Sequence, residues 1–273
     1  MPYLAMRDGT KIYYEEHGKG ETLLFSHGLS SSHLELRNFI NEFSDYHCVC
    51  YDQRGHEASD RTTSHMNIKT LGQDMNELIE YLDLKDVTVI GHSMGAATIF
   101  SYVNQFGCSK LKRIVAADMS PYMRNDGWEG GIGQGKWTDE DFMRDFDNMF
   151  DDLGLANWRI MKEIMNPALA STPAEFEPAM TAMCRGKFDP FTVVSMWYSL
   201  FRTDQRAAIE KITVPFLYLM PEVPLYSMTT VNFYKEHLKG SFVLEKDFPG
   251  TTHLILMEKP HEVAKKVKEF LVH

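Results

Sequence analysis

The stretch Asp86-Val87-Thr88-Val89-Ile90-Gly91-His92-Ser93-Met94-Gly95-Ala96-Ala97 limits the folds open to this chain more than any other. β-forming residues run into a Gly-x-Ser-x-Gly turn, and small, helix-compatible residues follow. That order predicts strand, sharp turn, helix. A strand reversing directly into a helix crowds the residues two before and two after the apex, which accounts for glycine at 91 and 95. The apex residue, Ser93, is then held in a strained conformation with its hydroxyl in the open. The helix behind it aims its first amides and the positive end of its dipole at that hydroxyl, a setting that favours a developing anion. Two glycines around a serine recur by chance. The strand before and the helix after turn the pentapeptide into a nucleophile signal rather than a structural turn.

Hydrophobic patterning places this turn in an alternating α/β chain. Apolar or alternating runs predict strands at 10–16, 22–25, 46–51, 86–90, 111–117, 214–220 and 242–244. Between 66 and 82, Ile68, Leu71, Met75, Leu78, Ile79 and Leu82 recur at the spacing of one helix face. Further helices are predicted from the serine turn to about 106, at 229–238 and at 260–271. Strands separated by crossover helices build a mostly parallel central sheet covered on both faces. The alternation breaks at Ser120-Pro121. No convincing strand occurs at 122–207; this segment holds a glycine-rich patch, a Thr138-x-x-Asp141 capping box and a concentration of aromatics and methionines. The expected division is a core of residues 1–120 and 208–273 with a helical cap, 121–207, between its two parts.

Composition excludes several classes. With 273 residues and 44% hydrophobic content, a sizeable core is available. A formal charge of -10 argues against a nucleic-acid or anionic-membrane surface. Seven acids at 138–152 (Asp139, Glu140, Asp141, Asp145, Asp147, Asp151, Asp152) read as a solvated helix face. The first residues lack a basic region followed by an apolar core, and no apolar run approaches the ~18 residues needed to span a bilayer. Cys48, Cys50, Cys108 and Cys184 show no metal-ligand spacing, and Cys48 and Cys50 are taken to point to opposite faces of a strand. The expectation is a cytoplasmic protein with reduced thiols, no metal and no cofactor.

A serine hydroxyl needs a base within hydrogen-bond reach. Of eleven histidines, His253 stands out, in Phe248-Pro249-Gly250-Thr251-Thr252-His253 after the last predicted strand. Loops at the carboxyl ends of parallel strands are where sites on such sheets form. The tetrahedral intermediate also needs amide donors. Met94 N–H offers one at the helix start, and the loop Ser26-His27-Gly28-Leu29 offers Leu29 N–H as the other. His92 is expected to point away to the far side of the sheet. His27 and His56 read as loop hydrogen-bonders, and Asp52 and Arg54 as loop stabilisers. Trp128, Trp197 and Tyr198 are more often core than pocket; a few aromatics of the cap should line an apolar cavity.

The order His27-Gly28, Asp52-Gln53-Arg54-Gly55, Gly91-His92-Ser93-Met94-Gly95, a helical cap and a late Gly250-x-x-His253 resembles the α/β-hydrolase fold. The subgroup it resembles holds small esterases, cofactor-free haloperoxidases and carbon–carbon bond hydrolases. The resemblance covers essentially the whole chain outside the cap. It implies Ser93 as nucleophile and His253 as base, in agreement with the reading from the residues. A serine at the turn departs from the haloalkane dehalogenases and epoxide hydrolases of this superfamily, which carry aspartate there. Glu57 stands where the family commonly has glycine after Asp-x-Arg-Gly-x, which implies a different backbone path for that loop.

The triad acid of the family usually follows the strand after the cap, and there this chain has Met220-Pro221-Glu222-Val223-Pro224. Val223 occupies the expected position and cannot orient an imidazole or stabilise imidazolium. Two carboxylates are open as replacements. Asp118 ends the strand after the serine helix, where some family members place their acid, and is preferred; Glu222 is one residue from the usual position. If neither serves, activity is weak or absent. The expected function is hydrolysis of a small-to-medium ester, thioester or lactone carrying a hydrophobic part. Carbon–carbon bond hydrolysis of a dicarbonyl compound, or ligand binding by a degenerate site, are the alternatives. Nothing in the sequence fixes an oligomeric state.

Overall fold

The computed structural model describes residues 3–185 and 189–272; residues 186–188, inside the expected cap, lie outside the described residues. The strands are β1 (Tyr3–Ala5), β2 (Lys11–His17), β3 (Thr22–Ser26), β4 (His47–Tyr51), β5 (Val87–His92), β6 (Leu111–Ala117), β7 (Phe216–Leu219) and β8 (Phe242–Glu245). They form one eight-stranded sheet in the order β1-β2-β4-β3-β5-β6-β7-β8. The pairs β1–β2 and β2–β4 are antiparallel, and every pair from β4 to β8 is parallel. The helices are α1 (Arg37–Ile40), α2 (Ile68–Tyr81), α3 (Met94–Phe106), α4 (Asp139–Asp151), α5 (Leu153–Ile160), α6 (Glu177–Arg185), α7 (Pro190–Arg202), α8 (Arg206–Ile209), α9 (Met228–His237), α10 (Ile255–Glu258) and α11 (Pro260–Leu271). The chain thus has the mostly parallel, doubly covered α/β sheet that the sequence predicts.

Strand alternation sorts the core into two layers. Leu24, Val49, Val89, Ile114, Ala116 and Phe216 face the layer under α2, α3 and α9. Their neighbours Leu23, Phe25, Cys48, Cys50, Ile90, Val115 and Leu217 face the layer under α1 and α11. Residues two apart on a strand share a face, so Cys48 and Cys50 lie on the same side, which corrects the opposite-face expectation. Both are free thiols. Burial in that apolar layer pushes both thiols up to about 12.

Between β6 and β7 the chain leaves the sheet, and among the described residues of 121–207 there is no strand. Thr138 caps α4 with the reciprocal bonds to Asp141 that the sequence predicts. Asp152 and Asp189 cap α5 and α7 by accepting from Leu155 N–H and Thr192 N–H. A π-helical turn, Met161–Met165, continues directly from α5. No helix among the described residues is long and apolar enough to cross a membrane.

Candidate active site

β5 runs through Gly91 and His92 and delivers Ser93 to the tip of a strand–helix turn. Ser93 has φ 53° and ψ -121°, a conformation that costs an L-residue energy and persists only where the surroundings impose it. They do so here by close packing. A Cβ on Gly95 would lie 2.0 Å from Ser26 O, and one on Gly91 2.5 Å from Ala96 N. The Ser93 N–H donates to Ala117 O at 3.0 Å, tying the turn to the end of β6.

One residue past the end of β6, on the same sheet edge, the Asp118 carboxylate and the His253 imidazole meet. Asp118 Oδ2 lies 2.8 Å from His253 Nδ1 and also accepts the Leu225 N–H at 3.0 Å. Both side chains are buried. Asp118 sits at φ 41°, a strained position held by its own N–H donating to Leu219 O on β7. A carboxylate only accepts, so partner chemistry assigns the imidazole proton to Nδ1 and leaves Nε2 as the nitrogen able to take another. Asp118 Oδ1 is buried with no partner among the described residues.

Glu222 is placed elsewhere. Its carboxylate accepts the Gly250 N–H, its own N–H donates to Thr251 Oγ1, and Val223 N–H donates to Thr251 O. The Glu222 side chain therefore ties its own turn to the loop that carries His253, without reaching the imidazole. The Leu225 amide was not foreseen; a backbone N–H leaves no mark on side-chain identity.

The first-strand loop abuts the serine. A Cβ on Gly28 would lie 3.3 Å from Ser93 Cβ and 3.1 Å from His92 Nδ1, so glycine there lets the loop close in. Leu29 borders the same cavity as Ser93. Among the described residues neither Leu29 N–H nor Met94 N–H has a protein hydrogen-bond acceptor, so the two expected oxyanion donors remain available.

His92 corrects an expectation. Instead of pointing away, its Nε2–H donates to His253 O at 2.7 Å, and its ring lies 4.8 Å from the His253 ring. Burial, with the His253 ring beside it, pushes its pKa down to about 3. A neutral His92 thus supports the backbone of His253. His27 and His56 are loop hydrogen-bonders as expected: His27 Nε2 accepts from Gln53 N–H while Nδ1–H donates to Gly28 O, and His56 Nε2 accepts from Ser30 N–H. Burial holds both below the ordinary histidine value. Asp52 accepts from His33 and Ala58, and Arg54 forms a buried bidentate pair with Asp74, so both stabilise loops. Glu57 has φ 38°, in the left-handed region that favours glycine.

Ser93, His92 and His253 open onto a cavity of about 540 Å³, within the ordinary range for ligand sites. Its wall is apolar and rich in methionine, with Met119, Met123, Met149, Met161, Met165 and Met257 all bordering it. Among the described residues of the helical segment, Trp197 is the aromatic that reaches it. Trp128 packs edge-on against Phe233 of α9, and Tyr198 is exposed on the outer face. Among the described residues no cluster of His, Cys, Asp and Glu is arranged to hold a metal ion.

A family model described as the alpha/beta hydrolase fold matches residues 21–152, a span that contains Ser93 and Asp118. This is an α/β-hydrolase-fold protein. Among relatives of this α/β-hydrolase-fold chain, a non-heme chloroperoxidase of Kitasatospora aureofaciens is 32% identical over 44% of this chain and 45% of its own length. That match therefore spans less than half of either protein. A 1H-3-hydroxy-4-oxoquinoline 2,4-dioxygenase of Pseudomonas putida is 23% identical over 97% of both chains. Among solved structures, an esterase from Exiguobacterium antarcticum superposes with a TM-score of 0.82 at 20% identity, over 99% of each chain. The α/β-hydrolase fold is common to proteins named for different reactions, so the reaction has to be argued from the site.

Proposed function

We propose that this protein is a serine hydrolase that cleaves a small-to-medium carboxylic ester, thioester or lactone through an acyl-enzyme. The observation that supports this most is the 2.8 Å contact of His253 Nδ1 with Asp118, beside a strained Ser93 that borders the same cavity. Ser93 Oγ attacks the carbonyl carbon while His253 Nε2 takes its proton. Asp118 holds the tautomer and stabilises the imidazolium. The oxyanion is met by Leu29 and Met94 N–H. His253 then protonates the leaving group, and the same nitrogen later activates water to release the acid and free the serine. Residues 121–207 act as a cap over the acyl part of the substrate, and its apolar wall selects a hydrophobic acyl group.

A fluorophosphonate probe tests this reading, since labelling needs an activated hydroxyl. The adduct is expected on Ser93 by peptide mass spectrometry, with ester turnover abolished in parallel. Turnover of a vinylogous 1,5-diketone without ester turnover would favour carbon–carbon bond hydrolysis. Absence of both labelling and turnover would favour a binding protein.

A further inference from the structure

One polar side chain stands on the cavity face of α5 without a partner. Asn157, Ile160, Met161 and Ile164 follow the i, i+3, i+4, i+7 spacing of one helix face, and all four border the cavity. Asn157 is the polar member of that stripe. Among the described residues its carboxamide makes no hydrogen bond, and Nδ2 is buried and unpartnered. An unpartnered amide among apolar side chains costs about 1–3 kcal/mol, and leucine would fill the same stripe without that cost. The π-helical turn Met161–Met165 follows immediately, and Met161, Ile164 and Met165 on it also border the cavity.

We propose that Asn157 sets substrate specificity by hydrogen-bonding one uncharged oxygen, a keto or hydroxyl group, on an otherwise apolar acyl chain. The nature of the bond cleaved rests on the ester-hydrolase reading; the recognition does not. A carboxamide offers one donor group and one acceptor and carries no charge, so it suits a neutral substituent rather than a carboxylate or an amine. The substrate class is an oxo- or hydroxyacyl ester of medium length, with the oxygen several carbons from the scissile carbonyl.

The test compares p-nitrophenyl octanoate with octanoates carrying a keto group at each successive carbon beyond the third, on wild type, Asn157→Leu and Asn157→Ala. In wild type one keto position is expected to raise kcat/KM about tenfold over the plain ester, mostly through KM. In both variants that ratio falls to about one while the plain ester is turned over at least as well. A ratio near one at every position in wild type overturns the proposal, as does a ratio that persists in the variants. If wild type hydrolyses no ester, the hydrolase reading fails, and calorimetry with octanamide and its keto amides still decides. About tenfold tighter binding of one keto amide, lost in Asn157→Leu, supports the role of Asn157; equal binding, or none, contradicts it.

Discussion

His92 and His253 are coupled through one hydrogen bond and one ring contact, so the support of the base can be tested apart from the base itself. His92→Gln keeps a donor at about the reach of Nε2, and His92→Phe removes it. Ester kcat is expected to fall about tenfold to a hundredfold in His92→Phe with little change in KM, and to recover largely in His92→Gln. A rise in KM alone would show that His92 only shapes the cavity. Protonation gives a second prediction. Unfolded histidine titrates near ~6.5, whereas buried His92 stays neutral down to about 3 and His27 and His56 are also held low. Below that unfolded value the unfolded chain binds protons that the folded chain does not, so stability falls as pH falls from about 6.5 toward about 3. The thermal midpoint is expected to drop between pH 7 and pH 4.5, and less steeply in His92→Gln. The sequence marked His92 as a strand residue beside a serine; its orientation depends on the loop of His253, which arrives from far along the chain. Leu225 N–H carries no sequence mark for a related reason, since any residue but proline supplies that donor.

The elements divide into those whose identity local sequence dictates and those that tertiary packing completes. The turn at Ser93 belongs to the first kind. Its glycines leave no room for a methyl group, so Gly95→Ala drives a Cβ into Ser26 O at 2.0 Å and is expected to abolish soluble, folded protein. A folded and active Gly95→Ala protein, judged by circular dichroism and ester turnover, would contradict the packing described for the turn. The capping box on α4 was equally legible. Thr138→Ala removes it and is expected to cost about 1 kcal/mol of local stability, read as roughly fivefold faster hydrogen exchange in α4 with the β5 and β6 amides unchanged. The three-residue β1, by contrast, lacks enough residues to show alternation. β7, at Phe216–Leu219, is shorter than the run 214–220 that the sequence predicts, although Met220 N–H still donates to the Glu245 carbonyl at the end of β8.

At the scale of the whole molecule, the sheet order makes β6 and β7 neighbours, so that an acid at the end of either strand can approach the histidine loop. After β7 stands Val223, whereas Asp118 after β6 lies against His253, and the 220–226 turn contributes the Leu225 amide to the same carboxylate oxygen. The parallel sheet, the serine turn and the late histidine were legible because each carries its own pattern. The choice between Asp118 and Glu222 was not, since it depends on which carboxylate the fold brings against one imidazole nitrogen. The apolar, methionine-lined cavity adds a prediction at this scale. Methionine adapts to varied shapes, so kcat/KM should rise from p-nitrophenyl acetate to octanoate without a sharp optimum, and a preference for acetate would contradict an acyl site in that cavity. The most direct test of an Asp118–His253–Ser93 triad is p-nitrophenyl butyrate hydrolysis by wild type, Ser93→Ala, Asp118→Asn and Glu222→Gln. No activity is expected in Ser93→Ala, a loss of about 10⁴ in kcat in Asp118→Asn, and near wild-type turnover in Glu222→Gln. A full-scale loss in Glu222→Gln with Asp118→Asn still active would contradict that triad.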